Sequence, residues 1–283
     1  MIDKKIYLEI KDHSVSGEIF HLLYNEELEM LETSPQPSQE KLPAYYQSED
    51  YISHTDSQRN LFEKAYHIVK NIALKRKLKL INSVNATSKS LLDVGCGTGD
   101  FLQIAQKNGW LTAGIEPNTN ARQIANQKTN NQVFNSDELF ELKPNSFDVI
   151  TLWHVLEHLP ELQSQMVMFR KLLKPNGRLI IAVPNYKSYD ASFYKEFWAA
   201  FDVPRHLWHF SKISISRLVS NENMEVEKII PMKFDAYYVC LLSEKYKTGK
   251  MNPVKAFWVA WKSNRRAIRT GEYSSLIYCV KNQ

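Results

Sequence analysis

Cysteine is scarce in this chain, with three in 283 residues: Cys96, Cys240 and Cys279. An odd, widely scattered set provides neither a disulfide framework nor a CxxC metal-binding knuckle. No run approaches the ~20 apolar residues of a membrane span, and the segment MIDKKIYLEIKD lacks the apolar core of a signal peptide. We therefore expect a cytoplasmic protein.

Acidic residues are missing from residues 245–269, which hold eight Lys or Arg and no Asp or Glu. Phe257, Trp258 and Trp261 are interleaved with these basic residues. The pattern predicts an amphipathic helix that covers an acceptor pocket or makes a peripheral membrane contact. The alternatives are a solvated helix face and a contact with nucleic acid. We expect a small-molecule acceptor rather than nucleic acid as the partner.

The remaining pattern divides the chain into an appendage, residues 1–55, and an α/β domain, residues 56–283. A long helix is expected over 57–81, after which strand and helix signals alternate, as in a parallel sheet covered by helices. We expect strands at 90–94, 111–116, 132–135, 147–153, 178–183, 225–230 and 275–281, and helices at 99–108, 119–128, 161–174 and 212–221. Gly109 and Gly177 stand where helix C-caps are expected. Residues 232–273 are too many for a hairpin and predict a helical insertion before the last strand.

Glycine is also scarce, yet three of the nine glycines fall within GCGTG, residues 95–99. They follow the apolar strand ending LLDV and precede a helix, so the chain can place its backbone and the helix N-terminus against a ligand. A second strand ends at Glu116, twenty-one residues after Gly95. In a doubly wound fold a carboxylate there accepts hydrogen bonds from ribose hydroxyls.

These segments resemble the class I S-adenosylmethionine-dependent methyltransferases. The resemblance rests on LLDVGCGTGD, IEP, SFDVITLWHVLEHL and LLKPNGRLIIAVPN, in order and spacing over about residues 57–183. It implies a doubly wound, Rossmann-like sheet of seven strands, one of them antiparallel, with S-adenosylmethionine lying over the strand ends. It also implies the positions that contact this cofactor: Asp93, Gly95, Cys96 and Gly97 at its methionine end, Glu116 and Pro117 at its ribose, Ser136 and Asp137 near its adenine, and Trp153 and His154 under its sulfonium.

His154, Glu157 and His158 spell H-x-x-E-H, which also matches a metalloprotease string. The string begins at the end of a strand inside the methyltransferase pattern, which argues against a protease. The segment further resembles ubiquinone-pathway O-methyltransferases, in which an acid-rich version holds a divalent cation. Because His154 replaces the first acid here, we expect no metal and a packing role for His158.

The loop VPRHLWHF, residues 203–210, follows the fifth strand of the pattern, where the resembled family builds its substrate pocket. An imidazole accepts a proton near neutral pH, so we choose His206 as the first candidate base and His154 as the second. Packing is the alternative for each residue alone. The expected pocket residues are Tyr46, Tyr51, His54, Arg205 and His209.

The sequence therefore predicts an S-adenosylmethionine-dependent methyltransferase that acts on a small molecule, with oxygen as the methyl acceptor and a lipophilic acceptor among the candidates. An RNA or tRNA methyltransferase is the first alternative, although TLWHV stands where base-amino methylases of this fold carry an Asn-Pro-Pro-Tyr-like motif. A cofactor-binding module without catalysis is the second.

Overall fold

The computed structural model describes residues 5–38, 40–46 and 61–283, and for residues 61–69 it describes the backbone alone. In these ranges the strands are β1 (Ile6–Lys11), β2 (Ile19–Asn25), β3 (Met30–Ser34), β4 (Ser90–Val94), β5 (Leu111–Ile115), β6 (Val133–Phe134), β7 (Phe147–Trp153), β8 (Leu173–Pro184), β9 (Trp208–His209), β10 (Met224–Pro231) and β11 (Ser275–Asn282). The α-helices are α1 (Leu61–Asn82), α2 (Asp100–Lys107), α3 (Thr119–Thr129), α4 (Leu162–Leu172), α5 (Tyr189–Tyr194), α6 (Lys212–Ser220), α7 (Asp235–Thr248) and α8 (Pro253–Thr270).

Seven strands form the main sheet in the order β10-β11-β8-β7-β4-β5-β6. Strands β8, β7, β4, β5 and β6 pair in parallel, and β11 runs antiparallel to both β8 and β10. The doubly wound sheet with one antiparallel strand is therefore confirmed.

Side chains alternate between the two faces of this sheet because successive residues of a strand point in opposite directions. Leu91 and Val149 pack with helices α1 to α3 on one face. Leu92 and Ile150 pack on the other, with helices α4 and α6. The central strands are buried on both sides, as a parallel sheet requires.

Residues 5–34 form an antiparallel meander of β1, β2 and β3, for which the sequence pattern predicts no secondary structure. Its fourth strand comes from far along the chain, because β3 pairs with β9 through Leu31↔His209 and Glu32↔Trp208. A separate apolar core joins this sheet to the loop after β8 and to α8, through Phe20, Trp198 and Val259. The appendage thus holds the loop expected to form the acceptor pocket.

Two helices, α7 and α8, make up the predicted insertion between β10 and β11, so a helical insertion is confirmed. The Asn252 side chain caps α8 by accepting from the Lys255 N–H, and Pro253 occupies the first turn. None of the described helices is both long and apolar enough to cross a bilayer.

The expectation that Gly177 is a helix C-cap is wrong. Helix α4 ends at Leu172, and Gly177 lies inside β8, which begins at Leu173 rather than at residue 178. A Cβ at Gly177 would lie 3.1 Å from the Phe147 carbonyl oxygen, so a close backbone approach explains this glycine. Gly109, by contrast, directly follows the C-cap of α2 with a φ of +84°.

Candidate functional site

The predicted cofactor residues meet at one edge of the sheet, because parallel strands end on the same side. Strand β4 runs into Gly95, β5 into Glu116, and β7 into His154. Ser136 and Asp137 begin a short 3-10 helix after β6 and are exposed. The structure therefore brings the cofactor residues predicted from separate segments to one side of the fold.

The glycine turn between β4 and α2 has positive φ at Gly95 (68°), Gly97 (56°) and Gly99 (76°). A Cβ at Gly95 would lie 2.4 Å from Cγ2 of Val155, so this glycine is required by protein packing. A Cβ at Gly97 would meet nothing within 4 Å. Gly97 is thus the position where the turn leaves its backbone open to a ligand. Burial raises the pKa of the neighbouring Cys96 thiol, so this side chain is uncharged.

Glu116 links the second strand to this turn. Its Oε2 accepts from the Gly97 N–H at 2.8 Å, and its Oε1 accepts from the Asn118 N–H at 2.9 Å. Burial raises the pKa of this carboxyl. The adjoining carbonyls of Glu116 and Pro117 accept from Arg122, which fixes the loop after β5.

Asp93 and Lys77 are a pair of opposite charges near the same turn. Burial raises the pKa of Asp93 to about 6, although its Oδ1 accepts from the Thr151 hydroxyl at 2.6 Å. Burial also lowers the pKa of Lys77, whose Nζ lies 4.5 Å from the centre of the Trp153 ring. This face of Trp153 therefore accommodates a cation. Sequence reasoning missed Lys77, because nothing distinguishes it from the other lysines of a basic helix.

His154 is held between two acids. Its backbone has a φ of +57°, its Nε2 lies 3.0 Å from Oδ2 of Asp235, and its Nδ1 lies 3.4 Å from Oε1 of Glu157. Burial opposes the charged ring, but these two carboxylates raise the pKa of His154 to about 10. The ring is therefore an imidazolium at neutral pH. Sequence reasoning also missed Asp235, because it is eighty-one residues away at the start of α7.

Among the described residues, one group of side chains could hold a metal ion. It consists of Glu157, His158 and His206, whose possible ligand atoms lie within 4.8 Å of one another. The Glu157 carboxylate is buried and makes no hydrogen bond, although Oε1 faces the charged His154. Each imidazole has its Nδ1 next to a backbone carbonyl, Arg205 for His158 and Ala200 for His206, at 3.0 and 2.9 Å. A carbonyl only accepts, so each Nδ1 carries a proton, and in the His206 ring, whose pKa is lowered by burial, Nε2 keeps its lone pair.

The resembled cation site does not fit this arrangement, because its first acid is replaced by the protonated His154. That imidazolium already compensates the negative charge of the Glu157 carboxylate, which weakens the attraction of this carboxylate for a divalent cation. The absence of a metal stays our prediction.

The His206 ring is buried and neutral. Burial, followed by the neighbouring His158, holds the pKa of His206 well below its ordinary value of 6.5. The His158 and His206 rings meet edge to face, with centres 4.5 Å apart. The Tyr46 hydroxyl lies 3.0 Å from Nδ1 of His158, so this predicted pocket residue is adjacent to the pair.

Arg205 and His209 face the appendage. Arg205 donates to Asp12 and Asp202, and both of these carboxylates have lowered pKa values, against their burial, because of this guanidinium. His209 contacts the Thr33 hydroxyl through Nε2, and burial lowers the pKa of His209 to about 3. Their pocket role stays a prediction, since these contacts join the loop to the appendage. Two further predicted pocket residues, Tyr51 and His54, lie outside the described residues.

Comparison with known proteins gives one family match and a set of relatives. The family described as a methyltransferase domain matches residues 57–229. The chain is 25% identical over 181 residues to a ubiquinone biosynthesis O-methyltransferase of Dechloromonas aromatica (strain RCB), covering 59% of this chain and 76% of that protein. A protein of the same name from Coxiella burnetii (strain Dugway 5J108-111) is 27% identical over 134 residues, with 44% of this chain and 56% of that protein covered.

Solved structures share the fold at low identity. Magnesium protoporphyrin IX methyltransferase from Synechocystis PCC 6803, with bound SAH, matches with a TM-score of 0.57 and 16% identity over 87% of this chain and 100% of that one. A SAM-dependent methyltransferase from Archaeoglobus fulgidus matches with a TM-score of 0.53 and 16% identity, over 78% and 98% of the two chains.

Proposed function

This chain belongs to the class I S-adenosylmethionine-dependent methyltransferases, and from that premise we propose that it transfers the cofactor's methyl group to an oxygen of a small lipophilic molecule. The curated relatives named above are O-methyltransferases of ubiquinone biosynthesis, which supports oxygen as the acceptor atom. The chain spans about three quarters of one relative and just over half of the other, so the acceptor is proposed here on chemical class alone.

The observation that carries the proposal is the open backbone at Gly97, hydrogen-bonded to Glu116 on the next strand. We propose that the methionine end of the cofactor lies along Asp93, Gly95, Cys96 and Gly97. The Glu116 carboxylate, which here accepts from the backbone N–H groups of Gly97 and Asn118, would accept from the ribose hydroxyls instead. Pro117 would lie beside the ribose. Ser136 and Asp137 would lie near the adenine, at the exposed end of β6.

The sulfonium belongs, in this proposal, against Trp153. The ammonium of Lys77 lies over that ring, so this aromatic face stabilises a cation, and the sulfonium would displace the ammonium from it. The His154 imidazolium is neutralised by Asp235 and Glu157, which limits its repulsion of the sulfonium. When bound, S-adenosylmethionine supplies an electrophilic methyl, and the protein's main contribution is to hold the acceptor in line with it.

His206 is the proposed base for an acceptor hydroxyl. Its ring is neutral, and its Nε2 lone pair is free to take the proton, because Nδ1 donates to Ala200. His154 is the second candidate, but a ring that is already protonated accepts no further proton. We therefore propose that His154 positions its neighbours and that His206 takes the proton.

Calorimetry tests the cofactor assignment. Gly97→Val fills the open space at a left-handed backbone position, whereas Gly95→Val would collide with Val155 and disturb the fold. We expect Gly97→Val to abolish binding of S-adenosylmethionine. Glu116→Gln should weaken binding about tenfold or more, because hydrogen bonds to a charged group contribute most.

Glu27→Gln, on the exposed hairpin between β2 and β3, is the matched control and should leave the affinity unchanged. Circular dichroism checks that each variant is folded. Wild-type affinity in folded Gly97→Val and Glu116→Gln would refute the proposed cofactor site.

A further inference from the structure

Helix α8 has two apolar faces, and one of them is exposed. Its buried face consists of small or branched residues that pack toward the core: Ala256, Val259, Ala260, Ser263 and Ala267. On the opposite side Val254, Trp258, Trp261 and Ile268 recur at helical spacing. Val254 is 82% exposed and Ile268 is 68% exposed, so nothing in the described residues covers this side.

Basic side chains surround the exposed apolar face. Lys262 lies over the Trp258 ring at 4.7 Å, and Arg265 lies over the Trp261 ring at 5.4 Å. Residues 245–269, from the end of α7 through α8, carry eight basic residues and no acid. Helices that lie in the interface of a bilayer combine large apolar residues with Lys and Arg in this way.

The exposed face is also connected to the candidate site. Tyr237 of α7 and Phe257 of α8 are in ring contact, with centres 5.2 Å apart. Asp235, at the start of the same α7, contacts His154 at the end of β7. The insertion therefore reaches from the predicted sulfonium position to the basic, apolar surface.

We propose that the outer face of α8 docks on an anionic lipid surface. The basic residues are attracted to acidic headgroups, and Val254, Phe257, Trp258 and Trp261 enter the interfacial layer. This proposal rests on the proposed function in that it gives a lipophilic acceptor a route from the bilayer, and it explains why an apolar face is left exposed. An RNA partner would explain the basic residues but not the exposed Val254 and Ile268.

Vesicle flotation of the full chain tests the docking. Wild-type protein should float with phosphatidylcholine vesicles that contain phosphatidylglycerol and not with phosphatidylcholine alone, and added salt should release it. Arg265→Glu combined with Arg269→Glu should weaken binding about tenfold or more, because each basic residue near the surface contributes to the attraction. Trp258→Ala combined with Trp261→Ala should weaken it similarly.

Two matched controls separate docking from net charge and general exposure. Lys75→Glu combined with Lys79→Glu on helix α1 makes the same change in net charge, and Phe140→Ala removes an exposed aromatic elsewhere. Both should float as the wild type does. Absence of flotation, or an equal loss in these controls, would overturn the proposal.

Two further outcomes also overturn it: self-association, or RNA binding, that the α8 substitutions abolish. Flotation needs neither cofactor nor acceptor, so its failure is distinct from failure of the proposed function. A protein that methylates an acceptor yet never floats refutes the docking alone, and a protein that floats but transfers no methyl refutes the function alone.

Discussion

At the residue scale, His154 and His206 are the two candidate bases predicted from the sequence, and they differ in charge. Both His154 and His206 follow strands of the methyltransferase pattern, and both are typical candidates for a base. Their surroundings differ, since Asp235 and Glu157 face His154, whereas Ala200 and His158 face His206. The motif predicted where the histidines would be, but the partners that set their charge come from distant parts of the chain.

Asp235→Asn should lower the pKa of His154 from about 10 toward the ordinary value of 6.5, because one of its two carboxylate partners is removed. Because folding raises the pKa of His154, the interaction of its charged ring with the two carboxylates stabilises the fold. This contribution is complete below pH 6.5 and is lost as the pH rises through about 10. The variant should therefore be less stable than the wild type at neutral pH and equally stable above pH 10. Histidine NMR titration and urea unfolding at several pH values measure both effects.

His206→Ala should lower kcat about 100- to 10,000-fold while leaving the affinity for S-adenosylmethionine nearly unchanged, because only the proton acceptor is lost. Since the pKa of His206 is well below 6.5, wild-type activity should be constant around neutral pH and should fall only on further acidification. His13→Gln, at a half-buried histidine of the appendage that stacks on Tyr246, is the control and should retain most of the turnover. Near-normal turnover in His206→Ala would remove this residue from the mechanism.

Treatment with a chelator tests whether Nε2 of His206 accepts a proton or binds a metal ion. We expect no loss of activity, because the prediction assigns the His206 Nε2 to a proton. A loss that divalent cations restore would instead assign Glu157, His158 and His206 to a metal.

At the element scale, local patterns predicted the strands of the main sheet and most helices of the α/β domain, including the helical insertion, but not the short helix α5. They did not predict the four-stranded sheet, because its pairing of β3 with β9 joins residues more than 170 positions apart. Strand β9 has two residues, which is too short for an alternating pattern to reveal. The error at Gly177 has a similar origin, since its close approach to Phe147 depends on the neighbouring strand.

The appendage and the loop after β8 are joined by a buried ion pair, so Asp12→Asn should destabilise the fold. Asp12 is fully buried and Arg205 is nearly so. Loss of the Asp12 charge leaves the guanidinium with the Asp202 carboxylate and the carbonyls of Tyr45 and Val203. We expect a loss of about 3 kcal/mol in the free energy of unfolding, measured in urea.

The pKa of Asp12 is lowered, so its contribution is present above pH 3.8 and is lost as the pH falls below that value. The exposed pair of Glu9 and His21 is the control, and Glu9→Gln should change stability little. Equal stability of the Asp12→Asn variant and the wild type would show that this pair does not hold the loop.

At the scale of the whole molecule, one edge of the main sheet carries the predicted cofactor residues. The segment that follows the appendage strands contacts this side through Tyr46 and His158, and the insertion contacts it through Asp235 and His154. The resemblance predicted the cofactor edge because its motifs are local in sequence. The proposed acceptor side includes Tyr46, His158 and His206, which belong to three separate segments, and only three-dimensional packing brings them together.

Tracing the methyl group shows whether the chain methylates an oxygen of a small lipophilic molecule. The protein is incubated with methyl-labelled S-adenosylmethionine and fractionated cell extract, and the Gly97→Val variant serves as the control. We expect label in small lipid-soluble molecules, as an oxygen-bound methyl by mass spectrometry, with none transferred by the variant. Label in RNA or protein, or cofactor binding without transfer to any fraction, would contradict this expectation.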